Sequence, residues 1–183
     1  MVNYIVSGFA RSGTSMVMQI LSKANMNIAT DNQRESDSNN PKGYFEVTNI
    51  INKIIKNSNI VEEYDYKVLK LLNYGLRFLP KRDYKIVYIE RDINEILDSS
   101  EKMIGKVDDN RDKTKNAVLK LNYDCKKLLK LRQDFNFIIL NYKDFIEKPS
   151  KTIDKLISFF DIELDKKKAM ISAVDKKLYR NKK

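Results

Sequence analysis

Gly8 and Gly13 enclose Phe9-Ala10-Arg11-Ser12, and Thr14 and Ser15 follow at once. This is the glycine spacing of loops that wrap a phosphate in backbone N–H groups, but the lysine that normally precedes Ser/Thr is missing. The cation of the stretch comes earlier, at Arg11. An apolar run, Tyr4-Ile5-Val6, leads into the loop, and a helical pattern leads out of it. In that setting the amides from Arg11 to Ser15 can form an anion nest, and the helix starting near Thr14 adds the positive end of its dipole. Gly8 and Gly13 permit backbone geometry that a side chain would hinder. Without the lysine the loop is poorly equipped for the γ-phosphate of ATP, and no strand-ending Asp-x-x-Gly offers a magnesium partner. The expected ligand is a compact phosphate or phosphosulfate group, held without a metal.

A second constellation lies downstream. Arg91 closes the apolar run Tyr88-Ile89-Glu90-Arg91, and Ser99 stands eight residues later in a helical pattern. With these residues in view, Gly8 to Ser15 resembles the phosphosulfate-binding loop of the PAPS-dependent sulfotransferases, a branch of the P-loop fold. PAPS is 3′-phosphoadenosine 5′-phosphosulfate. The resemblance implies that Arg11, Ser12, Gly13, Thr14 and Ser15 grip the donor's 5′-phosphosulfate, and that Arg91 and Ser99 hold its 3′-phosphate. Ile93 departs from the pattern, since the family often has proline there. Tyr142-Lys143-Asp144-Phe145, Pro149 and Phe159-Phe160-Asp161-Ile162 are similar to the family's C-terminal strand-helix segment. Asn40-Pro41-Lys42-Gly43-Tyr44-Phe45-Glu46 is similar to a stretch of bacterial members.

The function this resemblance implies is transfer of a sulfuryl group from PAPS to a hydroxyl or amine of a small molecule or carbohydrate. PAPS is then a cosubstrate, and no metal is required. Arg11 and the loop amides would stabilise the charge developing on the leaving phosphate. A base must also take the acceptor's proton. Cytosolic members of the family commonly use histidine, and this chain contains none. Other branches use a carboxylate, which makes Glu46 the first candidate, with Asp31 and Glu35 as alternatives. The plainer role for Glu46 is that of an acid at a helix N-terminus, favoured by the dipole. Two other functions stay open: a P-loop nucleotide kinase or NTPase, and a catalytically silent relative that binds PAP. Nucleic-acid binding is disfavoured, because the aromatic residues lie on apolar runs rather than between exposed Lys and Arg.

Elements must bring these residues together. Tyr4-Ile5-Val6, Ile86-Val87-Tyr88-Ile89 and Phe137-Ile138-Ile139-Leu140 read as short buried strands, each followed by a helical pattern. Helices are expected over about 14–24, 47–60, 66–78, 93–103, 113–132, from Pro149 through Phe160, and over 165–174. The fold class is α/β: an open, mainly parallel sheet flanked by helices in the three-layer P-loop arrangement, with ligands beyond the strand C-termini. Residues 1–183 read as one domain. Residues 30–43 form a polar, mobile loop in this reading, and 176–183 form a basic tail.

Composition bounds the rest. The 183 residues carry 35 Lys+Arg against 25 Asp+Glu, a net charge of +10 that favours anionic ligands. The lysines look scattered, as on solvated helix faces. Cys125, the one cysteine, lies in an apolar helical stripe. No run of some 20 apolar residues suggests a membrane span, and no signal segment is visible, so a cytoplasmic location is expected. The chain is compact for the resembled family, which leaves room for a homo-oligomer that completes the acceptor pocket.

Overall fold

The computed structural model describes residues 2–33, 37 and 43–175. Four strands form one parallel sheet in the order β2-β1-β3-β4: β1 (Asn3–Gly8), β2 (Val68–Lys70), β3 (Tyr84–Glu90) and β4 (Phe135–Asn141). After β1 the chain adds β2 on one side, then crosses β1 to place β3 on the other. Such a reversal leaves a crevice beyond the strand C-termini, where open α/β sheets bind ligands.

Alternation along the strands divides the core into two layers. Val6, Val68, Val87 and Ile89 face α1 (Thr14–Lys23), α5 (Tyr142–Glu147), α6 (Pro149–Phe160) and α7 (Lys167–Ala173). Ile5, Leu69, Ile86 and Tyr88 face α2 (Ile50–Lys56) and α4 (Arg111–Leu131). The remaining helix, α3 (Ile93–Ile104), begins directly after Arg91 because Asp92 caps it, accepting the N–H groups of Asn94 and Glu95. α6 starts at Pro149, where the missing N–H costs nothing.

Two expected helices fall out differently. Where 66–78 reads as a helix, the chain forms β2 and then a 3₁₀ helix, Asn73–Phe78. Val68, Leu69, Lys70 and Leu71 are all buried, so the segment shows neither the two-residue nor the helical period that separates the two states. The stretch read as 47–60 splits into α2 and a 3₁₀ helix, Ser58–Tyr64. Asn57 makes the break: its backbone is extended, and its side chain accepts the Asn59 N–H instead of continuing α2. The last helix begins with a 3₁₀ turn, Leu164–Lys166, before α7. Glu35, the Asn40-Pro41-Lys42 part of the bacterial-like stretch and the 176–183 tail lie outside the described residues. Among the described residues no helix is long and apolar enough to cross a membrane.

Candidate active site

Parallel register explains why residues far apart in sequence meet. Gly8 pairs with Ile89, Val6 with Lys70, and Glu90 with Asn141. The segments leaving β1, β2, β3 and β4 therefore start side by side at one edge of the sheet.

The loop between β1 and α1 is shaped by left-handed backbone. Arg11 has φ 69° and Gly13 φ 106°. Ser12 donates its N–H to the Phe9 carbonyl at 3.1 Å, which closes the turn. Its hydroxyl is fully buried and has no hydrogen-bond partner among the described residues. The first helical bond runs from the Val17 N–H to the Gly13 carbonyl, at 3.2 Å. The N–H groups of Thr14, Ser15 and Met16 thus precede the helical ladder at the dipole's positive end.

On the β3 side, the loop and the second constellation are in direct contact. Arg11 donates from Nε to Ser99 Oγ at 2.9 Å. Arg91 donates from Nη1 to the Arg11 carbonyl at 3.0 Å and from Nε to Glu95 Oε2 at 2.8 Å. Glu95 and Ser99 stand four apart on α3, so they share the face turned to the loop. The Arg91–Glu95 pair is buried, with side chains 8% and 6% exposed. Tyr142, the first residue of α5, lies with its ring 4.5 Å from the Arg91 guanidinium. The same ring occupies the space beside Gly13, where an added Cβ would sit 2.3 Å from a ring carbon. Burial pushes the Tyr142 hydroxyl pKa up, so the ring is a neutral wall for the guanidinium.

On the β2 side, a cation missed by the sequence reading appears. Lys70, the last residue of β2, is 7% exposed, and its Nζ donates to Ser15 Oγ at 3.0 Å. It also donates to the Tyr44 carbonyl at 3.0 Å and to Glu46 Oε2 at 2.9 Å. The lysine absent from the loop is thus matched by an ammonium from the neighbouring strand. Its signal in the sequence is a lone charge inside the apolar run Val68-Leu69-Lys70-Leu71-Leu72. Such a charge is buried only when it is paired.

Glu46 is brought to that ammonium by the residue before it. Phe45 has φ 50°, an unfavourable state for an aromatic residue that turns the chain toward the loop. Asp31 is committed elsewhere. Its carboxylate accepts the Thr48 N–H at 2.8 Å, the Thr48 hydroxyl at 3.2 Å and the Gln33 N–H at 3.2 Å. Burial pushes its pKa up, but these hydrogen bonds and the nearby Lys53 together outweigh that and hold it below the ordinary carboxylate value. Of the two described carboxylates named from sequence, Glu46 is the one tied to the loop.

The family model of the sulfotransferase domain matches residues 3–183. No curated protein matches the chain. Among solved structures, a mouse sulfotransferase complexed with PAP matches at 14% identity and TM-score 0.54, over 93% of this chain and 63% of that one. The sulfotransferase domain from the curacin biosynthetic pathway matches at 12% identity and TM-score 0.53, over 96% of this chain and 78% of that one. Retinol dehydratase, in complex with androsterone and inactive cofactor PAP, matches at 13% identity and TM-score 0.52, over 98% and 66%. At these identities the likeness is one of fold. The chain spans less than two thirds of the mouse protein and of retinol dehydratase.

Proposed function

Since the chain belongs to the sulfotransferase domain family, we propose that it transfers the sulfuryl group of PAPS to a hydroxyl or amine of a small molecule or carbohydrate. The observation carrying this reading is the 2.9 Å contact between Arg11 and Ser99. It joins the anion loop to the constellation of Arg91 and Ser99, so one nucleotide with charges at both ends can span the two. The PAP in two of the structural relatives supports the same donor.

Roles follow from position. The Thr14, Ser15 and Met16 amides and the Arg11 guanidinium receive the 5′ end of the donor, and Ser99 with Arg91 its 3′-phosphate. Lys70 touches both Ser15 and Glu46, so it lies between the phosphosulfate end and the candidate base. Glu46 takes the proton from the acceptor as its oxygen or nitrogen bonds to sulfur. The bond from sulfur to the 5′-phosphate oxygen breaks, and Arg11, Lys70 and the loop amides neutralise the charge left on PAP.

The first test is thermal. PAP at a hundredfold excess over its Kd should raise the melting midpoint by about 5–10 °C, without magnesium. An unmoved midpoint at near-millimolar PAP would overturn the reading. A magnesium-dependent rise with ATP alone would support a kinase or NTPase instead.

A further inference from the structure

The lysines that look scattered along the sequence are ordered on the longest helix. α4 has 21 residues and buries Val118, Cys125 and Leu129 on one narrow strip. Diametrically opposite, at helical periodicity, run Lys113, Lys120 and Lys127, seven residues apart in sequence and about 10 Å apart along the axis. Lys130 stands beside this row, and all four lysines are exposed. Asp112 and Asp124 are the acids on the same face. The ion pairs of α4 use other cations: Arg111 binds Asp98 and Glu101 on α3, and Lys126 binds Glu90.

Large apolar side chains are interleaved with the lysines. Leu119 is 44% exposed, Tyr123 67% and Leu131 68%. A nucleic acid or an acidic polysaccharide could neutralise the lysines, yet it would leave the leucines in water. A bilayer with anionic headgroups serves both kinds of side chain. Lysine stems let the ammonium groups reach headgroup phosphates while apolar neighbours enter the acyl boundary, and tyrosine favours that boundary. We propose that the outward face of α4 docks the protein onto an anionic lipid bilayer. This surface turns away from the sheet and stands independently of sulfuryl transfer.

Cosedimentation of the full chain with vesicles tests this. Vesicles of phosphatidylcholine with about one third phosphatidylserine should bind the chain, and pure phosphatidylcholine should bind it far less. Lys113→Glu, Lys120→Glu and Lys127→Glu together should lower partitioning about a hundredfold or more, since each lysine contributes about fivefold near an anionic surface. Leu119→Ser, Tyr123→Ser and Leu131→Ser, which leave the charge unchanged, should lower it by at least about tenfold. An unshifted midpoint with PAP in the wild-type chain would leave these outcomes untouched, so the two proposals fail separately. Binding indifferent to phosphatidylserine, or a lysine variant that binds like wild type, overturns the proposal. So does an apolar variant that binds like wild type while an RNA oligonucleotide strips the chain from vesicles, which would mark a polyanion surface. Should a variant melt early, wild-type binding that persists unweakened in molar salt is the contradicting result.

Discussion

Glu46→Gln should lower kcat for sulfuryl transfer by about 10²–10⁴-fold while PAP affinity changes little. The substitution keeps the shape of the side chain, and the amide oxygen can still accept the Lys70 ammonium that Glu46 Oε2 meets at 2.9 Å. What it removes is the capacity to take a proton. Lys70 would remain against Ser15 at 3.0 Å, so the donor end of the site should survive. Single-turnover assays with PAPS separate the outcomes, because they report chemistry apart from binding. Unchanged turnover would assign the proton to another group, with Glu35 the next to test. Turnover absent from wild type and variant alike, with PAP still bound, would indicate a silent relative.

Arg91→Ala should destabilise the fold by roughly 3–5 kcal/mol, as expected when one partner of a buried ion pair is removed. For a domain of this size that corresponds to a midpoint fall of about 6–20 °C. The cause is specific. Glu95 would lose its cation with a side chain only 6% exposed, and the Arg11 carbonyl would lose its donor at 3.0 Å. The ring of Tyr142 would lose the cation it covers at 4.5 Å. Arg91→Ala with Glu95→Ala should recover part of the loss, because no charge is then stranded. A melt of Arg91→Ala indistinguishable from wild type would show that this arginine does not brace the loop.

These two residues also show what a sequence can carry. The approach of the Gly8–Gly13 loop to Arg91 can be read because both lie at the ends of strands with strong β-branched and aromatic content, and a parallel sheet aligns strand ends. The three long strands and the open α/β class could be read for the same reason. β2 could not, since a three-residue strand buried on both faces has no period to betray it. Missing β2 meant missing Lys70, which is placed by that strand alone. The bracing by Glu95 and Tyr142 was also hidden. It depends on Arg91 folding back across α3 and on the close approach of a ring to Gly13, and neither follows from spacing. The lysine stripe of α4 is hidden in the sequence for a simpler reason: residues seven apart look dispersed in a line and align only on a helix.

Calorimetric titration with PAP and with AMP, which differs from it only in lacking the 3′-phosphate, asks most directly whether one nucleotide bridges the loop and the Arg91–Ser99 constellation. PAP should bind without magnesium, AMP at least tenfold more weakly, and Ser99→Ala should narrow the gap between them. Equal affinity for the two nucleotides, or no heat with PAP, would contradict a donor held at both ends.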